Sequence, residues 1–537
     1  MKIVMIVIFS STLYADSLKV IQFDLVGQFG SINKNGGLVW NNDWLLDGLL
    51  FDGTWQNFPG TYGELTKNSY NDKLSNNEKT DSNRVESFFK YKQGDYLLDQ
   101  FLSGLKYKSE SRNFCFNAYK RNYLGPYNQY SNNTNQPIQQ SYTFSYDSKK
   151  NGYEGGFKMG HFNTYSGLAD SANQGFINNK VTSSKILYNQ IYDEISFFSS
   201  LDQFMQRYQA DHSKSFFKGV RYLSRSRFIL GFGSFNRHND YFQLKSTFNS
   251  RNIRNYNQFN SWFKTEIGGR KKWLEINTGI IYSENKFGLS YKIKFNKKVK
   301  AFEFYLENSR SNKILHPFYE FYYTGLHVDP FYQISMSKAS FSMLGKSNKT
   351  LFSMSIFNES NDHFLENIKK KQAVSNKDLK NIFWSLNANH RLNLFSSSEL
   401  ELDYQIQDPD NYYSGGYGNW FELNFHSNID NFKSYMDINF LLGFKHIGKR
   451  QSSSYLNLIE MVPIDRFSFK ILDDLNYFSS EISLEVSDLI IKYEWKNISE
   501  IILNTFESEN NNHFKMHPEM PPIVRQSNFS IEWHFRD

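Results

Sequence analysis

The chain ends in QSNFSIEWHFRD, residues 526–537, and this stretch decides the fold. Its large apolar residues share one parity and its polar residues share the other: Phe529, Ile531, Trp533 and Phe535 alternate with Ser530, Glu532, His534 and Arg536. Chain ends are usually frayed, whereas strict alternation is the pattern of a β-strand with one apolar and one polar face. Such a strand needs a partner strand and an apolar environment to lie against.

Composition favours strands over the whole chain. The 537 residues are 39% hydrophobic and 18% aromatic, with 51 Phe and 35 Tyr, and aromatic residues favour strands. The net charge of +7 is small for this length and does not indicate a nucleic-acid partner, which would require basic residues gathered on one surface. The single cysteine, Cys115, excludes an internal disulfide and a multi-cysteine zinc site. Its neighbours Phe114 and Phe116 have the opposite parity, so Cys115 is expected on a polar face.

The alternation is clearest in KFGLSYKIKFN, residues 286–296. Five apolar residues share one face and five polar or small residues share the other: Phe287, Leu289, Tyr291, Ile293 and Phe295 against Gly288, Ser290, Lys292, Lys294 and Asn296. Residues 274–282 and 302–306 alternate in the same way, with short connections at SENK and NKK. This pattern predicts an antiparallel meander of hairpins. The pattern recurs at 141–159 and at 478–496, where a turn is expected at Ser487–Asp488.

The N-terminus predicts export. In MKIVMIVIFSSTLYADS, Lys2 precedes an apolar run from Ile3 to Leu13, and cleavage after Ala15 would remove residues 1–15 as a signal peptide. An N-terminal anchor helix is the alternative. The run is far shorter than the roughly 20 residues that a membrane-spanning helix needs, which favours the signal peptide.

Alternation by itself does not say which face is outside. A soluble β-sandwich turns its apolar face inward, and a membrane barrel turns it outward. The export signal, the absence of a propeller-like repeat of roughly 40–50 residues, and the Lys and Glu residues in mid-strand all favour the barrel. We therefore predict that residues 16–537 form one large, closed, antiparallel transmembrane β-barrel of roughly 20–26 strands with long polar loops.

These features resemble bacterial outer-membrane β-barrel proteins, specifically the large porin-like class. In that class the final strand is read by the barrel-assembly machinery, and the resemblance implies this role for Phe529, Ile531, Trp533 and Phe535. Here Arg536 and Asp537 follow the last aromatic residue, which departs from the pattern of the class. The resemblance also implies the outer membrane of a Gram-negative bacterium as the location, with its lipid and the assembly machinery as partners.

The last strand must pair with the first, because lipid cannot satisfy unpaired backbone groups. The predicted partner of 525–536 is LKVIQFDLVGQF, residues 18–29, in which Val20, Gln22 and Asp24 alternate with Ile21, Phe23 and Leu25. This pairing leaves a pre-barrel segment that is absent or very short. A transporter with a plug, as in TonB-dependent receptors, would need a folded N-terminal domain, and DSLKVI at 16–21 resembles an energy-coupling segment only weakly.

Three stretches are predicted to connect barrel strands. Residues 31–83 are expected to be the longest loop or an inserted segment, with Trp40, Trp44 and Trp55 as candidate contacts for sugars or other solutes. Packing of this loop on the barrel wall, or further strands within it, is the alternative. Residues 163–185 are expected to be a polar loop, and 361–380 a charged loop or a short helix.

Catalytic motifs are missing from the sequence. It contains no Walker-type phosphate loop, no nucleophile elbow and no HExxH motif. His513 and His517 have helical spacing, but turn-forming residues flank them. We therefore expect no enzyme activity, no cofactor and no metal.

Three functions remain open: a porin-like channel, a barrel-anchored surface adhesin or assembly component, and a barrel-embedded hydrolase. We expect the channel, with passive or weakly selective passage of small hydrophilic solutes and a mild preference for anions. A barrel of more than about 16 strands is too wide for its own side chains to fill.

Overall fold

The structure, a computed structural model, describes residues 20–22, 31–33, 38–39, 84–125, 138–150, 152–167, 176–211, 219–235, 240–254, 258–314, 331–344, 350–361, 379–395, 397–407, 419–432, 435–457, 462–499, 515 and 522–536. The predicted signal peptide lies outside these residues. So do the candidate contacts Trp40, Trp44 and Trp55, and the histidines His513 and His517.

Strands account for nearly all of the described chain. Three short strands, β1 (Val20–Gln22), β2 (Ser31–Asn33) and β3 (Leu38–Val39), form a sheet of their own. Two more, β23 (Arg450–Asn457) and β24 (Val462–Leu472), form a separate hairpin. In the described residues no helix is long and apolar enough to cross a membrane.

The remaining 22 strands form one antiparallel sheet whose pairings close on themselves. They are β4 (Arg84–Gly94), β5 (Leu98–Lys108), β6 (Arg112–Asn122), β7 (Ile138–Lys150), β8 (Tyr153–Gly167), β9 (Phe176–Tyr192), β10 (Ile195–Asp211), β11 (Val220–Phe235), β12 (Tyr241–Ile253), β13 (Gln258–Lys271), β14 (Leu274–Ser283), β15 (Lys286–Val299), β16 (Phe302–Ile314), β17 (Phe331–Leu344), β18 (Thr350–Asn361), β19 (Leu379–Phe395), β20 (Ser398–Gln407), β21 (Asn419–Phe432), β22 (Met436–Ile447), β25 (Leu475–Val486), β26 (Leu489–Lys496) and β27 (Gln526–Arg536). Each strand pairs with its successor except that β22 pairs with β25, and β27 closes the ring by pairing with β4.

The predicted partner of the last strand is wrong. β27 pairs with β4, residues 84–94, whereas Val20–Gln22 of the predicted partner pairs with Ser31–Asn33. Residues 1–83 therefore precede the barrel, so the expectation of a very short pre-barrel segment is also wrong, and 31–83 does not connect two barrel strands. Charge explains why β27 pairs with β4. Lys90 and Lys92 of β4 form ion pairs with Glu532 of β27 and Glu494 of β26, whereas the polar parity of 18–29 carries no cation.

Two predicted connections also differ from the structure. Much of 163–185 is strand, because β8 continues to Gly167 and β9 begins at Phe176. The NKK stretch lies inside β15, and the turn follows at Lys300–Ala301, with Lys300 at φ 54°. The turn at Ser487–Asp488 is confirmed. Residues 362–378, most of the stretch expected to be a charged loop or helix, lie outside the described residues.

Curvature identifies the inner face of the barrel. Side chains on the concave face of a closed sheet converge and cover one another, whereas those on the convex face diverge. Polar residues such as Gln100, Asn117 and Thr164 are buried, while apolar residues such as Phe101 and Phe116 are exposed. The polar parity is therefore the inner face and the apolar parity the outer face, which is the arrangement of a barrel in lipid.

The mid-strand charges predicted to face inward do share the inner face. Lys292 pairs with Glu307 at 3.0 Å and Lys492 with Glu481 at 2.6 Å, both across neighbouring strands. Tyr291 and Ile293 lie on the opposite, exposed parity.

The two ends of the barrel differ in their connections. All ten connections at one end, the short-turn end, are five residues or fewer, and β4 enters and β27 leaves at that end. At the other end, the long-loop end, six connections exceed ten residues, among them 315–330, 362–378 and 497–525. Outer-membrane barrels place short turns on the periplasmic side and long loops outside.

Ion pairs and polar hydrogen bonds line the closing seam. Lys92 Nζ lies 2.6 Å from Glu494 Oε2, and Lys90 Nζ lies 3.3 Å from Glu532 Oε2. At the long-loop end, the backbone N–H and the hydroxyl of Ser527 both donate to Asp95 Oδ2, at 2.7 and 2.8 Å. On the outer face, the Phe89 and Trp533 rings lie 6.2 Å apart. These contacts fix the register of β4 against β27.

We expect Lys92→Met to weaken the closed barrel, because it leaves the half-buried Glu494 carboxylate without its nearest ammonium group. A charged hydrogen bond of this kind contributes about 1.5–3 kcal/mol. The measurement is the temperature at which the heat-modifiable band unfolds on a gel. Lys149→Met, which removes the more exposed Lys149–Glu154 pair, is the matched control. Equal shifts in the two variants would contradict the role of the seam.

Candidate functional site: an arginine wall inside the barrel

Strand β11 places three arginines on the inner face. Arg221, Arg225 and Arg227 have the same parity, and their exposed neighbours Tyr222 and Phe228 face outward. Antiparallel register then brings further polar groups beside them. Arg251 on β12 lies opposite Arg225.

Asp202 on β10 lies between Arg227 on one side and Lys185 of β9 on the other. We call the set Lys185, Asp202, Arg221, Arg225, Arg227 and Arg251 the arginine wall.

Asp202 is the acidic centre of the wall. Its side chain is fully buried, and Arg227 Nε donates to Asp202 Oδ2 at 2.7 Å. Lys185 Nζ lies 3.9 Å from the other carboxylate oxygen. A carboxylate so placed holds two cations of neighbouring strands in position, because charge-assisted hydrogen bonds are about twice as strong as neutral ones.

Aromatic rings and an amide orient the other guanidinium groups. Arg221 Cζ lies 4.7 Å from the centroid of the Tyr208 ring, and Arg225 Cζ lies 5.3 Å from that of Trp262. Both distances are within the range of a cation–π interaction. Arg251 Nη2 donates to Asn260 Oδ1 at 3.3 Å. Stacking on a ring leaves the edge of the planar guanidinium able to donate hydrogen bonds.

The wall carries an excess of positive charge. The set has five cationic side chains and one carboxylate, so its six charged groups sum to +4, and Asp202 contacts Arg227 and Lys185 of that set. On other parts of the inner face, lysines pair with glutamates one to one, as in Lys294–Glu275 at 3.6 Å and Lys445–Glu422 at 3.4 Å. The excess therefore distinguishes this wall from the balanced surfaces around it.

The arginines of the wall are buried. Its four arginines are 3–6% exposed, whereas the side chain of Lys292 is 31% exposed. Charge interactions strengthen as water is excluded, because the effective dielectric constant falls. A cleft with one sign of charge also focuses the field on an incoming ion. The arginine wall is chemically suited to bind a multivalent anion through several guanidinium groups.

The aromatic residues predicted to form the assembly signal lie on the outer face. Phe529, Trp533 and Phe535 are exposed there, and the Trp533 and Phe535 rings stack at 5.0 Å. Ile531 shares their parity on β27. Their position on the outer face matches the alternation in the sequence, and their part in assembly remains a prediction.

Cys115 lies on the inner face opposite Lys106 and Ser145, as its parity predicts. Within the described ranges, no group of three His, Cys, Asp or Glu residues could hold a metal ion.

The arginine wall was not predicted from the sequence. Its signal was the run RYLSRSR at 221–227, in which three arginines share one parity. Sequence does not reveal that Arg251 and Lys185 join them, because that depends on the register of three strand pairs.

Comparison with known proteins identifies the fold. No family model matches the chain, and no curated protein matches its sequence. Solved structures do match it. The FrpB iron transporter from Neisseria meningitidis has 7% identity and a TM-score of 0.59, covering 85% of this chain and 82% of that chain.

The siderophore receptor PirA from Pseudomonas aeruginosa has 8% identity and a TM-score of 0.54, covering 85% and 81%. The ferripyoverdine receptor of the outer membrane of Pseudomonas aeruginosa has 9% identity and a TM-score of 0.57, covering 85% and 73%. The fold is that of the outer-membrane β-barrels in these proteins. At these identities the likeness establishes the fold alone.

The expectation of a passive porin-like channel is wrong. The three matching structures named above are an iron transporter, a siderophore receptor and a ferripyoverdine receptor, and none of them is a general pore. The strand number agrees with that correction, because channel-forming porins have about 16–18 strands, whereas 22-stranded outer-membrane transporters have a plugged lumen.

We expect Asp202→Asn to destabilise the barrel strongly. The substitution removes the carboxylate that holds Arg227 and Lys185, and breaking a buried ion pair costs about 3–5 kcal/mol. Urea unfolding in lipid vesicles measures the change. Glu194→Gln, in the exposed turn between β9 and β10, is the control and should leave the midpoint unchanged. An unchanged midpoint for Asp202→Asn would show that the wall does not depend on its carboxylate.

Proposed function

We propose that this chain is an outer-membrane receptor that takes up an iron chelate of net negative charge, and that the arginine wall contacts that chelate. The wall itself carries the proposal: four buried arginines and a lysine lie on the inner face with one carboxylate among them, and that carboxylate contacts Arg227 and Lys185. Likeness in fold to iron transporters and siderophore receptors supports iron as the cargo.

The chemistry of ferric chelates fits such a wall. Iron(III) is a hard cation, and chelators that bind it through carboxylate or catecholate oxygens leave the complex negatively charged. Guanidinium groups donate two parallel hydrogen bonds to paired oxygens of this kind. Trp262, which stacks with Arg225, would lie beside the bound complex.

Three features support the proposed location in the outer membrane. Residues 1–15 are the proposed export signal, the apolar parity of the barrel faces outward, and the end with long loops would face the exterior. The barrel-assembly machinery and outer-membrane lipid are the proposed partners.

The decisive experiment measures binding of an iron chelate by tryptophan fluorescence. Ferric complexes quench nearby indole emission, and Trp262→Phe isolates the signal of this tryptophan from that of the others. We expect purified barrel to bind an anionic ferric tris-catecholate and to bind a neutral ferric tris-hydroxamate more weakly. Arg225→Gln should raise the Kd for the anionic complex about tenfold to a hundredfold, because a charged hydrogen bond contributes about 1.5–3 kcal/mol.

A control variant tests whether the change in Kd is specific to the arginine wall. Lys292→Gln removes a cation from the balanced part of the inner face and should leave the Kd within about twofold, since exposed charges contribute little. Equal binding of neutral and anionic chelates would refute the role of the arginine wall. A protonophore collapses the membrane potential of whole cells. Iron uptake that continues undiminished after this treatment would refute active uptake by a receptor and would indicate passive diffusion instead.

The last strand yields a separate prediction. Replacing Trp533 and Phe535 with Asp should block insertion into the outer membrane. Both side chains are on the outer face, where charge costs a few kcal/mol at mid-membrane and about 0–1 near the interface. Cell fractionation measures insertion. Ser530→Asp and His534→Asp, on the inner parity of the same strand, form the control pair. Normal insertion of the Trp533→Asp and Phe535→Asp double variant would contradict the prediction.

A further inference from the structure

A row of buried polar side chains leads from the arginine wall toward the closing seam. Each member lies directly opposite the next on the neighbouring strand, from β11 back to β5. All are on the inner face, are 3–6% exposed and lie within four residues of the long-loop end of their strands: Arg221, Tyr208, Asn179, Thr164, Gln139, Arg121 and Gln100. A ligand that enters between the long loops would therefore meet this row.

Two glutamines of the row have an amide N–H donor that is not used. Arg121 Nη2 donates to Gln139 Oε1, and the Tyr119 hydroxyl donates to Gln100 Oε1 at 3.4 Å. Arginine has only donors, so its contact with Oε1 fixes the orientation of the Gln139 amide and leaves Nε2 as the free donor. Within the part of the chain that the structure describes, three buried polar atoms here have no hydrogen-bond partner: Gln139 Nε2, Gln100 Nε2 and Ser141 Oγ.

We call Gln100, Gln139 and Ser141 the amide shelf. A buried donor that loses its bond to water and gains no other bond is unfavourable, and such groups are uncommon in folded proteins. A ligand with hydrogen-bond acceptors would supply the partners that the amide shelf lacks.

An apolar row runs beside the amide shelf, two residues farther from the long-loop end on each strand. Its members are buried on the inner face and lie opposite one another in register: Leu102, Tyr119, Ser141, Phe162, Val181 and Gln206. At the end of this row, Gln206 Nε2 donates to Asn179 Oδ1 at 2.8 Å, while Gln206 Oε1 has no partner among the described residues. The surface thus offers free N–H donors, a free carbonyl acceptor and apolar side chains. A peptide chain matches all three, because its backbone carries a carbonyl acceptor and an N–H donor at each residue.

The spacing of the strands sets the length of such a peptide. Gln139 on β7 and Arg221 on β11 are four strands apart in the ring. At a strand spacing of about 4.8 Å, the two positions are about 19 Å apart. An extended peptide of about six residues covers that distance.

We propose that the iron chelate carries an uncharged peptide arm of about six residues, and that the amide shelf binds this arm while the arginine wall contacts the chelating end. Gln139 Nε2 and Gln100 Nε2 donate to carbonyl oxygens of the arm, and apolar groups of the arm lie against Phe162 and Val181. The inference rests on the proposed function for the chelate, whereas binding of the peptide is a property of the shelf alone.

Paired ligands test the proposal. One is an anionic ferric tris-catecholate, and the other is the same complex joined to a capped hexapeptide of alternating alanine and serine. We expect the arm to lower the Kd, measured by quenching of Trp262, about tenfold, because a neutral hydrogen bond changes an equilibrium constant roughly threefold or more.

Gln139→Glu should reduce the gain from the arm to about threefold or less. The variant keeps an oxygen for Arg121 and replaces the N–H donor with an oxygen that repels a carbonyl group. Its Kd for the complex without the arm should stay within about twofold, since about 19 Å separates residue 139 from Arg221. Gln243→Glu, on the inner face near the short-turn end of β12, is the matched control and should keep the full gain.

Three results would overturn the peptide arm. The first is an equal Kd for the two ligands in the unmodified barrel, which would leave water as the partner of the amide shelf. The second is an undiminished gain in Gln139→Glu. The third is an equal gain from a neutral trisaccharide in place of the hexapeptide, which would assign the shelf to sugars.

The hexapeptide without iron separates this inference from the proposed function. A photoreactive group on the peptide should crosslink to β5–β7, less in Gln139→Glu and equally in Gln243→Glu. Such crosslinks in a barrel that binds no ferric chelate would refute the proposed function and retain the peptide site. Crosslinks spread over the barrel without preference for β5–β7, in a protein that does bind the chelate, would refute the peptide site and leave the proposed function standing.

Discussion

The backbone hydrogen bonds between β27 and β4 are the contact on which the rest of the barrel depends. A strand in lipid has no water to satisfy its N–H and C=O groups, so a sheet in that environment must leave no edge. Closure of an antiparallel ring by its first and last strands requires an even strand number, and this ring has 22. It also requires the chain to enter and leave at the same end. Both conditions follow from the pairing of Asn528–Arg536 with Glu86–Gly94, supported by Lys90, Lys92 and Asp95.

Closure then gives every strand residue one of two environments. Outward positions diverge and meet the surroundings, so large apolar side chains such as Phe287 and Leu289 remain exposed. Inward positions converge, and charges there lose water. Across most of the inner face this loss is offset by pairing one lysine with one glutamate, as in Lys492–Glu481 and Lys294–Glu275. The arginine wall departs from that pattern, since Asp202 contacts both Arg227 and Lys185 and is the one carboxylate in a set with five cations.

The sequence predicted the features that depend only on residues close together in the chain, namely the strands and the face on which each side chain lies. The alternation of 286–296 predicted β15 and the face of each side chain, because the period of a strand is two wherever it lies. The partner of β27 could not be predicted in this way, because residues 18–29 and 84–94 both alternate. The pairing depends on Lys90 and Lys92, which form ion pairs with glutamates more than 400 positions away in the sequence. Part of the arginine wall could have been predicted from the sequence. Arg221, Arg225 and Arg227 share a parity in the sequence, but Arg251 and Lys185 join them only through cross-strand register.

A purely structural origin for the arginine wall is hard to reconcile with its energetics. Well-packed apolar residues often stabilise a protein as much as a buried ion pair or more, and here the charges do not even balance. Elsewhere on the inner face, positive and negative side chains pair one to one, as in Lys92–Glu494 and Lys445–Glu422. A surplus of cations in the wall would raise the free energy of the empty wall, and an anion bound there would lower it again. Because that gain would appear only on binding, it would contribute to affinity for the anion, as the proposed function requires.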